Sequence, residues 1–389
     1  MIKQLTASTS EIDDVELALS QILTQLDLKN NLLKNTVGLV TCFSEFIDSG
    51  VYQSLCDVLP FEIVGTTTIS SSVDGHIGSM LLTISVMTSD DVYFSVGQTP
   101  DLSIETDLDL VFQIAYTNAK VKLKQDPIMM LAYTPLIYNV GGEIMLTSLD
   151  AITNGLPIFG TISLDHTSDY HGASTLCNKS VSKTALVFVL IAGNVTPNFG
   201  IAAISADRIR RHRAIITKSN NNILESVNGI STKDYFLSLG LGSADGAIEG
   251  INVIPFVLDY KDDTLPVVRA MFSFTPEGYA VCGGNMPEKA ILAIGSLDRD
   301  DILLTAKELI KGVVDENSST ALVIFSCVSR TLALGADPLA EMQEVSAVSK
   351  SVHYQFCYSG GEICPVYDQN KKKWVNRFHN DTIVFCNFK

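Results

Sequence analysis

Three short segments in the last 70 residues carry the side chains best suited to bind a small ligand. Each segment borders an apolar run, and the candidate ligand-binding residues are Cys327, Arg330, Gly360, Gly361, Glu362, His379, Asn380 and Thr382. The planar guanidinium of Arg330 suits a carboxylate, and the carboxylate of Glu362 suits an ammonium group. Glycine at 360 and 361 lets the backbone approach a ligand closely. Together they predict a site that holds an amino acid at both ends.

The same residues allow other interpretations. Arg330 and Glu362 could form a structural ion pair that ties two loops together. Cys327 could act as a nucleophile with His379 as its base, and the Thr/Ser cluster beginning at Gly65-Thr66 offers hydroxyl groups. A hydrolase or transferase is therefore the alternative function. We expect no enzyme activity, because a buried inert thiol is the commoner state of such a cysteine.

No metal site or cofactor is expected. The spacing of Cys357, Cys364, His353 and His379 does not match a closed tetrahedral zinc site. The sequence also lacks a P-loop lysine motif, an H-E-x-x-H motif and a G-x-S-x-G motif. We predict that the chain binds its ligand without a bound metal or cofactor.

Three stretches of the sequence share one order of predicted strands and helices. These elements must position the candidate ligand-binding residues. Each stretch has an apolar strand, an amphipathic helix, a second strand, a second helix and two more strands. The copies begin at Lys3, Val92 and Ile291, and their second strands end at Cys42, Thr134 and Cys327. The loops after these strands are expected at equivalent places: Phe43–Glu45, Pro135–Ile137 and Val328–Arg330.

This order of elements predicts an α/β fold with mixed sheets, built from three related βαβαββ units. A mostly-β segment, roughly from Asn198 to Pro287, separates the second and third copies. The last strand of each copy is expected to form a hairpin with the next segment of the chain, as SMLLTISVM and VYFSVG would across a short polar turn.

Composition limits the partners. The net charge of −16 repels nucleic-acid phosphates and anionic lipid headgroups, so neither nucleic acid nor membrane is an expected partner. No apolar run approaches the roughly 20 residues that a membrane-spanning helix requires. The first residues do not resemble a targeting peptide, and the eight cysteines form no C-x-x-C pair. We expect a cytoplasmic protein with reduced thiols.

Ordered motifs in the second half resemble the FIST proteins, a sensory family with tandem N-terminal and C-terminal FIST domains. In order they are ITKSNNNILESVNG, PF at Pro255, Arg269 in VVRAMF, GGNMPE (Gly283–Glu288), SCVSR (Ser326–Arg330), SGGEI (Ser359–Ile363) and HNDT (His379–Thr382). The first half is similar mainly in its pattern.

The resemblance implies a FIST N-like domain over residues 1–197, with two units, and a FIST C-like domain over residues 198–389. It implies a small-ligand-binding protein of signal transduction, with an amino acid or small carboxylate as ligand. A separate signalling output protein is the partner it suggests. A homo-oligomer is the second partner that the sequence leaves open.

The stretch RIRRHR (Arg208–Arg213) contains four of the eight arginines of an acidic chain. Such a run is usually a solvated turn or strand. Alternatively, it is a docking patch for an acidic partner or for a second copy, which would make the chain an interaction scaffold.

Overall fold

Three units of the chain form three six-stranded sheets that share one strand order. The computed structural model describes residues 1–137, 140–167, 169–243, 246–261, 264–315, 321–350 and 352–389. The first unit contains β1 (Lys3–Thr9), α1 (Val15–Leu26), α2 (Leu28–Asn31), β2 (Asn35–Cys42), α3 (Glu45–Asp48), α4 (Val51–Val58), β3 (Glu62–Thr67), β4 (Ser71–Val73), β5 (His76–Gly78) and β6 (Leu82–Ser89).

The second unit contains β7 (Val92–Gln98), α5 (Leu108–Lys120), β8 (Met129–Thr134), α6 (Gly142–Thr153), β9 (Ile158–Ile162), β10 (Thr175–Cys177), β11 (Ser180–Ser182) and β12 (Val187–Gly193). An aspartate caps the first helix of each of these two units. The side chain of Asp14 accepts a hydrogen bond from the Leu17 amide of α1, and Asp107 accepts one from the Leu110 amide of α5. These N-caps satisfy amides that the first helical turn leaves without a partner.

The third unit is interrupted by an inserted segment. It begins with β13 (Pro197–Ala202). The insertion contains β14 (Ala214–Asn220), β15 (Ile223–Val227), β16 (Ile230–Ser231), α7 (Thr232–Ser238), β17 (Phe256–Asp259), β18 (Val267–Arg269), β19 (Met271–Phe274), β20 (Ala280–Cys282) and β21 (Ile291–Ile294). The unit resumes with α8 (Arg299–Asp315), β22 (Ala321–Cys327), α9 (Val328–Leu334), α10 (Ala340–Val348), β23 (Tyr354–Ser359), β24 (Glu362–Asp368), β25 (Lys373–His379) and β26 (Ile383–Phe388).

The sheets exchange hairpins in a cycle. Their strand orders are β1-β6-β2-β3-β10-β11, β7-β12-β8-β9-β24-β25 and β13-β26-β22-β23-β4-β5. The last two strands of each sheet are therefore a hairpin from another unit, paired antiparallel to β3, β9 or β23. In every sheet the two central strands are parallel and the others antiparallel. The predicted α/β fold, with mixed sheets from three related units and an inserted mostly-β segment, is confirmed.

The three sheets enclose one apolar core and carry their helices outside. Leu39 of the first sheet, Phe159 of the second and Phe325 of the third belong to the same buried cluster. The rings of Phe159 and Phe325 stack with centroids 5.1 Å apart. Separate apolar clusters fill the space between each sheet and its helices, and the inserted segment has a core of its own. Strands covered on both faces explain the nearly continuous apolar runs in the sequence.

Two of the strand predictions are wrong. The first strand of the third unit is β13, which pairs with β26, and not the segment from Ile291, which forms β21 in the sheet of the insertion. Both segments are short and apolar, so periodicity could not separate them. The predicted hairpin between β6 and β7 does not form. Because β6 pairs with β1 and β2 on its two edges, no edge remains for β7.

Backbone register also shifts one predicted equivalence by one residue. The Phe43 amide donates to the carbonyl of Leu81, the residue before β6. In the same way, the Cys327 amide donates to the carbonyl of Thr382, the residue before β26. Cys327 therefore corresponds to Phe43, and Ser326 corresponds to Cys42. The loops that follow β2, β8 and β22 do occupy equivalent places in the three sheets.

Candidate functional site

A cleft of about 460 Å³ lies where β8 and β22 end, with the inserted segment as its opposite wall. Ligands of open α/β sheets bind at such carboxyl ends of parallel strands. Most of the side chains that line the cleft are apolar: Leu136, Ile137, Val140, Ile162, Leu164, Met271, Phe272, Val281, Val328 and Leu332. Gly141 and Gly142, at the N-terminal end of α6, and Gly360 also line it. An apolar cleft with a few polar groups is the usual form of a small-molecule site.

The buried polar groups of the cleft come from the ends of β22 and β25, while Asp169 and, on the inserted segment, Asn222 and Asn252 also line it. Cys327, Ser329 and Asn380 all line it, although they are 3%, 7% and 1% exposed. The Ser329 hydroxyl lies 3.0 Å from the sulfur of Cys327 and donates to the carboxylate of Asp381. Asp381 is fully buried behind it, and this burial raises the pKa of Asp381 to about 6.

Asn380 is a buried polar residue of the cleft with unused hydrogen-bonding capacity. Within the described residues its side-chain Oδ1 is buried and has no donor. A Cβ on Gly283 would lie 2.4 Å from Oδ1, and one on Gly361 would lie 3.2 Å from Nδ2. Glycine at these two positions therefore leaves room for the amide. A buried acceptor without a donor is costly, so a ligand that donates to Oδ1 would bind favourably.

Glu362 and Thr382 lie behind the floor of the cleft and do not line it. The two carboxyl oxygens of Glu362 accept from the hydroxyls of Ser359, at 2.6 Å, and Thr382, at 2.7 Å. Burial raises the pKa of Glu362 to about 8, so the group is mostly protonated at pH 7. A carboxyl group that is mostly neutral, and whose two oxygens already accept from hydroxyl groups, does not fit the predicted contact with a ligand ammonium.

Arg330 forms an ion pair, but its partner is Glu341 of α10 and not Glu362. Its Nη2 and Nε atoms lie 2.7 and 2.9 Å from one oxygen of Glu341, and both residues are fully buried. Further hydrogen bonds go to the carbonyls of Ala203 and Ile302. The guanidinium therefore joins α9, α10, α8 and the end of β13, and it does not line the cleft.

The arrangement around Cys327 is not that of an activated nucleophile. Burial, with Glu362 and Asp381 nearby, raises the pKa of the Cys327 thiol well above its usual value. The imidazole of His379 forms no hydrogen bond with Cys327, and burial lowers its pKa to about 3, so the ring is neutral. Thr66, Thr67 and Thr68 of the other candidate cluster are buried, and their hydroxyls donate to backbone carbonyls.

Comparison with known families identifies the chain. A family model described as the FIST N domain matches residues 36–230, and the model of the FIST C domain matches residues 233–365. The chain belongs to the FIST family. FIST domains are sensory domains that bind small ligands, and the tandem arrangement expected from the motifs is confirmed.

No curated protein matches this FIST chain in sequence. Among solved structures, a cyanuric acid hydrolase from A. caulinodans matches 99% of this chain and 98% of its own, at 10% identity and a TM-score of 0.37. A likeness this low supports no statement about activity. No helix in the described ranges has the length and apolarity needed to cross a membrane.

The structure thus brings together only part of the predicted site. Cys327, Gly360 and Asn380 line one cleft of the FIST fold, with Gly361 packed against Asn380. Arg330, Glu362, His379 and Thr382 support the cleft from behind. Sequence reasoning missed Ser329 and Asp381, although they stand within the motifs SCVSR and HNDT. It also missed the wall that the inserted segment contributes.

Other predictions about the site concern metals and charge. Within the described residues, no three His, Cys, Asp or Glu side chains come together as metal ligands would. The arginines of the stretch Arg208–Arg213 are exposed. Arg208 pairs with Asp298 at 3.2 Å, while Arg210 and Arg213 donate to backbone carbonyls.

Proposed function

We propose that this FIST protein senses an amino acid or a small carboxylate that binds in the cleft between β8, β22 and the inserted segment. The proposal rests on one observation at Asn380. This residue lines a mostly apolar cleft, and its buried side-chain Oδ1 has no donor within the described residues. The ligand class is the one expected from the sequence, but the groups proposed to bind it are Asn380 and the N-terminal end of α6 instead of Arg330 and Glu362.

Two features of the cleft suit the two ends of an amino acid. Asn380 Oδ1 accepts a hydrogen bond from the ammonium group. Gly141 and Gly142 place the N-terminal end of the 12-residue helix α6 at the cleft, where backbone amides and the helix dipole favour a carboxylate. A simple carboxylate would use the second feature alone and bind more weakly.

The position of the cleft also suits a sensor. One wall belongs to the second and third units and the other to the inserted segment, so a ligand contacts both. A ligand that binds one arrangement of the two walls more tightly shifts the protein toward it. A separate cytoplasmic output protein would bind this arrangement of the two walls and so receive the signal. The eight cysteines, all described and all unpaired, fit a reducing compartment.

A thermal-shift screen of the purified protein against the 20 amino acids and a set of small carboxylates tests the proposal. A ligand at 100 times its Kd that binds only the folded state adds about 2.7 kcal/mol to the free energy of unfolding, which raises the melting temperature measurably. Calorimetric titration then gives the affinity of each hit. Stabilisation by none of these compounds would contradict the proposal.

A matched pair of variants locates the site. Asn380→Leu keeps the approximate shape of the side chain and removes its acceptor, and we expect at least a tenfold loss of affinity with the fold intact. Asn118→Leu makes the same change on an exposed position of α5 and is expected to leave binding unchanged. Equal affinities of the two variants would place the ligand elsewhere.

A further inference from the structure

Tyr170 has a backbone conformation that is unusual for its type. Its φ is +56°, and among the eleven non-glycine residues with positive φ in the described ranges it is the only aromatic one. Asn and Asp account for seven of the others and tolerate this region well. For a bulky residue the left-handed region is strained, and such strain persists only where the surroundings hold it.

Asp165 holds the loop that carries Tyr170. Its carboxylate is fully buried and accepts from the Gly172 amide and the Thr167 hydroxyl, each at 3.0 Å. The Tyr170 amide donates to the Thr167 carbonyl, and the Ala173 amide donates to the Tyr170 carbonyl, each at 3.1 Å. The backbone at Tyr170 is therefore bonded through both its amide and its carbonyl, which fixes the point from which the side chain extends.

The side chain of Tyr170 lines the same cleft as Asn380. It is partly buried against the outer apolar cluster of the third unit, to which Leu164 also belongs. Leu164 and Leu332 line the cleft as well, so Tyr170 is part of an apolar wall. Neither Asn380 nor the end of α6 would distinguish one amino acid from another, since both suit groups that all amino acids share.

We infer that Tyr170 determines ligand specificity by contacting an apolar side chain of the bound amino acid, and that Asp165 is the residue that positions it. This inference rests on the proposed function and narrows its ligand to amino acids such as leucine or phenylalanine. An apolar contact of this kind discriminates by about 10- to 200-fold for each group that it recognises.

The test compares leucine, phenylalanine, aspartate and glycine by calorimetric titration, because glycine carries both charged ends without a side chain. Wild type is expected to bind leucine or phenylalanine at least tenfold more tightly than glycine and aspartate. Tyr170→Asn should remove most of that preference and change the affinity for glycine less than twofold. Its melting temperature should stay close to that of wild type, because Asn adopts positive φ readily.

Two further variants separate specificity from a structural role. Asp165→Asn should lower the leucine-to-glycine preference in the same direction, whereas Tyr279→Asn, on a turn that does not line the cleft, should not. Equal losses for glycine and leucine in Tyr170→Asn would show a structural role and overturn the inference. Tighter binding of aspartate than of leucine by wild type would overturn it while leaving the proposed function standing. No binding of any amino acid would overturn the inference, and the proposed function would be overturned with it unless a small carboxylate stabilises the protein in the thermal-shift screen.

Discussion

Arg269 and Arg330 are both fully buried, and each binds a glutamate together with backbone carbonyls. Arg269 lies 3.0 Å from Glu143 of α6 and donates to the carbonyls of Phe378 and Asn285. It thus joins the inserted segment to the second unit and to the exchanged hairpin β24–β25. Arg330 makes a similar set of contacts around Glu341. These two arginines of the motifs therefore join the elements around the cleft, and the small polar residues Ser329 and Asn380 line it.

Arg330→Lys should destabilise the protein because lysine keeps the charge but loses the planar fork that bonds Glu341, Ala203 and Ile302. Lysine cannot bond all three, and a buried acceptor left without a donor costs about 1–3 kcal/mol. We expect a loss of about 2–5 kcal/mol in the free energy of unfolding, measured by urea denaturation.

The control for this prediction is Arg299→Lys. Arg299 also pairs with an acid, Asp337 at 3.3 Å, but both side chains are about half exposed. Exposed pairs contribute about 0–1 kcal/mol. Similar effects of the two substitutions would mean that the buried network around Arg330 contributes little to stability.

The titration of Glu362 should make the free energy of unfolding fall as the pH rises. Its folded pKa of about 8 lies above its usual value of 4.5, so the folded state holds the proton more tightly than the unfolded state. The stabilising contribution is complete below about pH 4.5 and is lost as pH rises through about 8. Between pH 5 and 9, the free energy of unfolding of wild type should fall by several kcal/mol relative to that of Glu362→Gln.

Urea denaturation at each pH measures that difference. The difference between wild type and variant removes the titration of distant groups, whereas the neighbouring Asp381 is coupled to Glu362 and contributes to it. Glu105→Gln makes the same change on an exposed carboxylate and is the matched control. A flat difference for Glu362→Gln would show that Glu362 is ionised in the folded protein.

The residue-scale errors of sequence analysis have a common cause. Arg330 could pair with any acid that folding brings near it, and Glu341, eleven residues away on α10, was no better marked in the sequence than Glu362. Burial decides which pairs form, and burial depends on the packing of α8, α9 and α10 around β22. Three residues of the motifs, Cys327, Gly360 and Asn380, do line one cleft, and ligand binding there stays a prediction.

At the scale of elements, close contact between the two parallel central strands depends on glycine in two of the units. Gly65 faces Val40 and Gly160 faces Ala132. A Cβ would lie 1.9 Å from the Val40 carbonyl oxygen in the first unit and 2.3 Å from that of Ala132 in the second. The third unit has Phe356 at this register, packed in its outer apolar cluster. The three units are therefore related in topology but not identical in packing.

Gly160→Ala should destabilise the protein, because the added methyl group would collide with the backbone of β8 and force the strands apart. Overpacking of this kind costs about 1–3 kcal/mol. Gly312→Ala, in α8, is the matched control: its Cβ would meet nothing within 4 Å, and alanine in a helix interior should add up to about 1 kcal/mol. Thermal unfolding checks both; destabilisation by the control, or none by Gly160→Ala, would contradict the prediction.

Sequence analysis found most elements but not the pairing of distant ones. The apolar strands and amphipathic helices followed from local patterns, as for β2, α5 and β22. The first strand of the third unit was misplaced because the inserted segment separates β13 from α8, while β21 stands directly before that helix. The exchanged hairpins could not be predicted either, because partner strands such as β9 and β24 lie about 200 residues apart.

At the scale of the whole molecule, the exchanged hairpins interlock the units. The hairpin β4–β5 completes the sheet of the third unit, β10–β11 that of the first and β24–β25 that of the second. Each unit therefore depends on another for a sheet edge, and all three share one core. Because the hairpin β24–β25 of the second half pairs with β9 of the first, the two proposed domains, residues 1–197 and 198–389, share a sheet.

We predict that the three units unfold in one cooperative transition. Trp374, the single tryptophan, lies on β25 in the sheet of the second unit, and its ring contacts Phe199 of β13 in the third at 5.1 Å. Its fluorescence therefore reports the junction of these units, whereas far-UV circular dichroism reports all strands and helices. In urea the two signals should share one midpoint, although a chain of this size often shows intermediates. A fluorescence transition that clearly precedes the loss of circular dichroism would mean that the halves separate before they unfold, and that the interlocked hairpins do not couple them.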